Sequence, residues 1–327
     1  MSRSDLRKLW ASLAAPAGGG EYTFSTARIP GSGNLRVGRS QTAIALLIPS
    51  SASNIPSAPI ELKNLAVRFE TRCRLTEEGQ LSEANFTLVR CLAGDPLLTN
   101  VFMDAIQAFL IHSAIEGSTS IVSFVNDLVE LFMALSEPAS SSTIGVWGEL
   151  FLIAFSTNPD LLLEAWHGLP QERHDFGAQN ERIEVKTSTH KRQHTFGLRQ
   201  LQSVNQIKLW IASIVTEPSA AGTSIFELIA MIAARSSDPA ASSTLVRKTA
   251  QALGSETTHW KTVRYDTAMA ESTLTFLPSD TIPRPSCPSD RILDVNFTVN
   301  LEGLASRETV EDGSLRLGAT PVKLGRG

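Results

Sequence analysis

The sequence predicts a mixed α/β protein of the α+β kind, and three observations lead to that reading. Residues 21–92 alternate apolar and polar side chains in short runs separated by turn formers. Residues 97–156 repeat apolar side chains at helical spacing. Ile207–Thr216 is then a continuous apolar run of strand length, and a helical pattern follows at Ser224–Arg235. The expected organisation is a β-rich segment over 1–95, a core over 96–256 and a strand-rich segment over 257–327.

Residues 1–15 read as a short amphipathic helix, with Leu6, Leu9, Trp10 and Leu13 at helical spacing, stopped by Pro16 and Gly18-Gly19-Gly20. Strands are expected at Tyr22–Ile29, Ala43–Ile48, Leu62–Leu75 and Phe86–Leu92, with Glu78-Gly79 as a turn. After Asp95-Pro96, helices are expected over Leu97–Leu110 and Ser120–Leu135, the second carrying Phe124, Leu128, Leu131 and Leu135 on one face. A loop over 137–143 supplies N-cap residues for a helix over Ile144–Ser156. Leu162–Trp166 reads as a strand, Gly168-Leu169-Pro170 as a turn, and Asp175-Phe176 and Arg182–Thr187 as two short strands. A helix is expected over 242–254, and the tail from Trp260 to Leu304 reads as alternating strands broken by prolines at 283–288.

Composition narrows the function classes. Hydrophobic residues are 42% and charged residues 19% of 327, the balance of a globular chain. No apolar run reaches the roughly 18 residues of a membrane span, and the start lacks the apolar core of a signal peptide, so no membrane partner is expected. Cys73, Cys91 and Cys287 are odd in number and widely spaced, which fits a reducing cytoplasm better than a disulfide framework or zinc ribbon. A net charge of −4 leaves no global cationic field, so contact with nucleic acid would need a local basic patch.

The residues that carry chemistry are His174-Asp175-Phe176 and, nine residues after the Asp, Glu184-Val185-Lys186. On a strand, Ile183 and Val185 would face one side while Glu184 and Lys186 share the other. Gly177-Ala178-Gln179-Asn180 is turn-forming and would fold Asp175 back beside Glu184. Two carboxylates and an ammonium suit phosphodiester hydrolysis with magnesium, a hard cation that takes one or two carboxylates plus water and phosphate oxygens. Short matches of this kind also arise by chance on ordinary strands, so their context has to carry the reading.

Glu149 supplies part of that context. It is the only charged residue between Glu137 and Asp160, in a helix apolar nearly all round, and a buried carboxylate is costly unless paired or bound to a cation. It stands 26 residues before Asp175, where a preceding helix could bring a third carboxylate. The local charge supplies the rest. From Arg182 to Lys208 there are six cations, Arg182, Lys186, Lys191, Arg192, Arg199 and Lys208, against Glu184 alone, an excess of five positive charges. Binding of a phosphate backbone is the functional explanation, with Lys191, Arg192, His194 and Arg199 as the candidate contacts; a solvated loop is the competing reading for Lys191 and Arg192. His190 and His194 lack partners spaced for zinc.

Gly145-x-Trp147-Gly148-Glu149, Trp166-His167-Gly168, His174-Asp175-Phe176, Glu184-Val185-Lys186-Thr187 and His194-x-Phe196-x-x-x-Gln200-Leu201 together resemble the bacterial PD-(D/E)XK motif protein family, of the restriction-endonuclease-like superfamily. The resemblance covers most of the chain. It implies a restriction-endonuclease-like core, a central mixed β-sheet flanked by helices, within the segment over 96–256. It also implies that Asp175, Glu184 and Glu149 bind the metal, Mg2+ with Mn2+ as a substitute, and that Lys186 assists the attacking water. Gln200 stands where related nucleases often carry a site glutamine; an exposed helix residue is the competing reading. His174 replaces the Pro of the family name, a residue without chemistry.

The resulting expectation is a metal-dependent DNA endonuclease acting in restriction-modification or phage defence beside other proteins of such systems. The alternative is a catalytically inactive nuclease fold serving as a DNA-binding or assembly subunit. Double-strand cutting usually needs two sites, which would suit a homodimer, although no self-complementary helix is visible in the sequence.

Overall fold

In the computed structural model, the described residues are 3–49, 58–92, 94–116, 121–166, 173–178, 180–202, 207–238, 241–256, 259–286, 294–304 and 314–320. The chain divides into two compact units, Met1–Glu137 and Pro138–Gly327. The division falls after the helices expected over 97–135, which thus belong with the β-rich unit.

In the first unit, α1 (Arg3–Ser12) buries Leu6 and Trp10, four residues apart on one face. The strands β1 (Thr23–Arg28), β2 (Arg36–Arg39), β3 (Ile44–Pro49), β4 (Ile60–Glu61), β5 (Leu65–Glu77) and β6 (Gln80–Cys91) form one sheet in the order β1-β2-β3-β6-β5-β4. β1 also pairs in parallel with β5, through Thr23–Ser25 against Arg74–Thr76, so five strands close into a small barrel. Phe24, Leu47, Leu75, Phe86 and Leu88 fill it. The long β5–β6 hairpin turns at Glu78-Gly79, both at positive φ (50° and 82°), the conformation whose twist matches the flanking strands. Two helices follow, α2 (Pro96–Glu116), with Pro at its first position, and α3 (Ile121–Ala134). They meet through Phe109 stacked on Phe124 and Phe102 edge-on to Phe132.

The second unit begins with α4 (Thr143–Phe155), capped by Ser142, whose hydroxyl accepts from Gly145 N. The segment expected as a strand over Leu162–Trp166 is instead α5 (Pro159–Ala165). Asn158 caps it by accepting from Leu161 N, Pro159 sits at the first position and Asp160 in the first turn. These start signals outweigh the run of leucines. Trp166 alone keeps strand character, in a single antiparallel bridge to Phe176. The turn expected at 168–170 lies outside the described residues, as do His167 and Cys287.

β7 (Phe176–Ala178) and β8 (Glu181–Thr189) form the expected hairpin, with Phe176 opposite Ile183. Gly177 and Ala178, expected in the turn, belong to the strand; of the connecting pair, Gln179 is outside the described residues. Next come β9 (Gln193–Gly197), a 3-10 turn over Leu198–Leu201, β10 (Lys208–Thr216), β11 (Pro218–Ser224), α6 (Ile225–Arg235) and α7 (Ala241–Leu253). Ser224 and Glu227 form a capping box at the start of α6.

The tail, expected as strands, alternates both element types: α8 (His259–Thr262), β12 (Arg264–Tyr265), α9 (Thr267–Thr273), β13 (Thr275–Pro278), β14 (Asn296–Asn300) and α10 (Leu315–Gly318). Asp266 accepts from Met269 N and starts α9, a cap that outweighs the strand pattern around it.

The central sheet has the order β13-β10-β8-β7 and is mixed: β8 and β10 run parallel, and the outer pairs are antiparallel. β10 is buried from Leu209 to Thr216, as a strand covered on both faces must be. α4 packs on β8 and α9 on β10, so helices flank the sheet. This mixed, helix-flanked sheet is the α+β architecture read from the sequence.

Candidate active site

β8 has the expected alternation. Ile183 and Val185 are buried on one face, while Glu184 and Lys186 share the other. Glu184 is itself buried, at 3% exposure, so its carboxylate needs partners. Lys186 Nζ lies 2.8 Å from Glu184 Oε1, and Gln200 Nε2 donates to the same oxygen at 3.0 Å. Gln200 Oε1 in turn accepts from Gly197 N at 2.9 Å, which fixes the amide orientation and turns its NH2 toward Glu184. The 3-10 turn after β9 thus brings Gln200 to Glu184, and the exposed-helix alternative does not hold.

Asp175 stands immediately before β7, and its Oδ2 accepts from Val185 N at 2.6 Å. The hairpin therefore places Asp175 beside the backbone that joins Glu184 to Lys186. Its neighbour His174 is half-buried, with Nε2 2.9 Å from the Gln200 carbonyl; that acceptor calls for a proton on Nε2. Burial holds the His174 ring below its usual range.

Glu149 enters from α4. A Cβ at Gly148 would meet Thr187 Oγ1 at 1.9 Å and force a shift there. Glycine thus lets the helix backbone lie directly on β8, and the next residue, Glu149, reaches the same cluster. Glu149 Oε2 accepts from Trp166 Nε1 at 2.7 Å. Burial is the main cause that raises the Glu149 carboxyl to about 7; the nearby Glu184 adds to the rise, and Trp166, Lys186 and Lys248 oppose it. Asp175 is also pushed well above its usual range, first by burial and then by Glu184 and Glu149, against the pull of Val185 N–H and Lys186. Three acidic groups thus feel one another in a desolvated place, with Lys186 as the cation common to the group.

The donor set is all oxygen, which suits a hard divalent cation, and a surplus of buried acid is what such a cation neutralises. Among the described residues, no three His, Cys, Asp or Glu side chains converge on one metal position. Magnesium needs only one or two carboxylates, with water and phosphate oxygens completing its shell, so the residues present fit the group.

The candidate DNA-binding residues divide into two pairs. Lys191 and Arg199 are exposed. Arg192 turns inward: its Nη1 donates to Ser213 O (2.9 Å) and Ser213 Oγ (2.7 Å), and Nη2 donates to Thr273 O (2.5 Å). His194 is buried, with Nε2 2.7 Å from Ser213 Oγ, and burial, aided by Arg192 and Lys186, lowers it to about 4. His194 is thus enclosed, and the part-buried Arg192 guanidinium is engaged by β10 and α9, whereas Lys191 and Arg199 face outward. The alternation of β9 turns His194 and Phe196 inward, onto Ser213 and onto the cluster with Leu209, Ile211 and Leu277, which the charge pattern alone does not reveal. Arg173, which the sequence reading passed over, is exposed beside Arg199 and donates to the Arg199 carbonyl.

A family model described as "Putative PD-(D/E)XK family member (DUF4420)" matches residues 6–302. The chain belongs to this PD-(D/E)XK family. Its description suggests a nuclease-like fold, and the matched range reaches into both compact units and includes every site residue named above. Comparison with curated proteins and with solved structures gave no match. Trp166 and Lys248 are the neighbours of the site that charge and spacing did not single out for a role, although Trp166 lies in one of the motifs that carried the resemblance.

Proposed function

We propose that the chain is a magnesium-dependent DNA endonuclease, hydrolysing phosphodiester bonds at the cluster of Asp175, Glu184, Lys186 and Glu149. One observation carries the reading: two carboxyls held far above their usual range, beside a third and around one lysine, in a chain of the PD-(D/E)XK family. Carboxyls perturbed by burial and by one another in this way concentrate at functional sites.

Asp175 and Glu184 would hold the cation, with Glu149 behind them, and a divalent ion there supplies charge neutralisation and Lewis-acid polarisation of a phosphate oxygen. Gln200 keeps Glu184 in place through its pinned amide. Lys186 Nζ, 2.8 Å from Glu184 and 5.5 Å above the Phe196 ring, is the donor available to orient an attacking water or to meet charge developing on the phosphate. Lys191 and Arg199 would contact the DNA backbone.

The family resemblance supports work within restriction-modification or phage defence, in the cytoplasm, beside other proteins of such systems or as a homodimer. Among the described residues no helix is long and apolar enough to cross a membrane. A second reading, an idle nuclease fold used for DNA binding or assembly, draws on the lack of three converging ligand side chains among the described residues. Plasmid nicking separates the two. The proposal expects cutting with Mg2+ or Mn2+ that chelation stops and that Asp175→Ala abolishes. Binding of plasmid without any cutting would favour the idle fold.

A further inference from the structure

Trp166 is 1% exposed and closes α5, and its three attachments point in different directions. Its backbone bridges Phe176, the residue after Asp175. Its indole Nε1 donates to Glu149 Oε2 at 2.7 Å. Its ring and carbonyl are both held by Lys248 from α7: Nζ lies 5.2 Å from the ring centroid and donates to Trp166 O. One residue therefore ties the carboxyl on α4 to the strand that follows Asp175.

We propose that Trp166, clamped by Lys248, is a positioning residue that sets where Glu149 stands relative to Asp175 and so tunes the affinity of the carboxylate cluster for a divalent cation. The inference rests on the metal-dependent reading above. The indole N–H is anchored on Glu149 Oε2, so the carboxylate is held in one orientation relative to the cluster. Without the N–H, a glutamate on a helix packed against β8 regains rotamer freedom and loses its fixed oxygen. Lys248 acts one step further out, because the indole it covers is the group that touches Glu149. This gives α7 a role that neither its composition nor its place in the fold announces.

The test is Mn2+ binding to the full chain, read by calorimetry and by the electron-spin signal of free Mn2+, with no DNA present. Trp166→Phe keeps an aromatic ring and the backbone bridge while removing the N–H, and is expected to weaken Mn2+ binding about 10- to 100-fold, as loss of a ligand-orienting partner does. Lys248→Met is expected to weaken it less, and Lys248→Arg to restore it. Trp147→Phe is the control, because that indole also donates a hydrogen bond, but to the backbone carbonyl of Thr223 at 2.8 Å and not to a carboxylate. It should lower stability without shifting Mn2+ affinity. A folded Trp166→Phe that binds Mn2+ as wild type does overturns the inference and leaves the nuclease reading standing. If Trp166→Phe does not fold, the Lys248 pair decides: equal affinity in Lys248→Met and Lys248→Arg overturns it. Failure of wild type to bind Mn2+ at all overturns both.

Discussion

Thr187 Oγ1 lies where the β-carbon of any other residue at position 148 would have to be, 1.9 Å from the ideal Cβ position of Gly148. That hydroxyl is also buried and, among the described residues, without a hydrogen-bond partner. In an exposed helix, Gly→Ala stabilises by up to about 1 kcal/mol. Here the sign should reverse: Gly148→Ala is expected to destabilise by about 1–3 kcal/mol, the usual cost of overpacking. Thr187→Ala alone should be close to neutral, because it removes an unsatisfied buried hydroxyl. In the double variant, Thr187→Ala should recover part of the loss, because the Thr187 Cβ, 3.0 Å away, still crowds the site. Urea denaturation of the four proteins measures this cycle, and additive losses would deny the direct contact.

The carboxylates give a pH dependence of definite sign. Glu149 rises from 4.5 to about 7 on folding, and Asp175 rises in the same direction. Between those values the native state holds more protons than the unfolded chain, so stability falls as pH rises through the window from about 4.5 to 7. Each unit of the rise corresponds to about 1.4 kcal/mol. In metal-free buffer, wild type should therefore lose more stability than Glu149→Gln between about pH 5.5 and 7.5, while His174 and His194, held below their usual range, contribute with the opposite sign in both proteins. Glu149→Gln should make the slope shallower, with a remainder from Asp175. A steeper fall in the Gln variant would contradict the assignment.

Arg192 and Lys191 are neighbours in sequence with opposite expected roles. Removing Arg192 leaves Ser213 and Thr273 without their buried donor, so Arg192→Ala should cost about 2–3 kcal/mol of stability. Lys191→Ala should stay within about 0.5 kcal/mol of wild type and should reduce the salt dependence of duplex binding by about one counterion. Fluorescence anisotropy at several salt concentrations reads the second effect. An unchanged slope in Lys191→Ala would remove that residue from the interface.

Much of this arrangement was legible in the sequence because it is local. Strand alternation put Glu184 and Lys186 on one face, the turn after Asp175 folded it back, and the isolation of Glu149 in an apolar helix singled it out. Gln200 was reached through family resemblance alone, since its contact with Glu184 depends on a 3-10 turn that no periodicity announces. The inward turn of Arg192 and His194 depends on Ser213 and Thr273, which lie 21 and 81 residues from Arg192. Trp166 was read as the end of a strand, because the leucines before it outweighed the Asn158-Pro159-Asp160 start of a helix. Its links to Glu149 and Lys248 span 17 and 82 residues, beyond any pattern in a single chain.

In the proposed function, these carboxylates and Lys186 form a hydrolytic site. The most direct test is the single-turnover cleavage rate of a labelled DNA duplex with saturating Mn2+, compared between wild type and Lys186→Ala, with duplex binding measured alongside. The account predicts metal-dependent cleavage by wild type and a rate at least about 100-fold lower in Lys186→Ala, the scale for losing a donor to developing charge, with binding nearly retained. Cleavage at the wild-type rate by Lys186→Ala, or cleavage unaffected by metal removal, would contradict it.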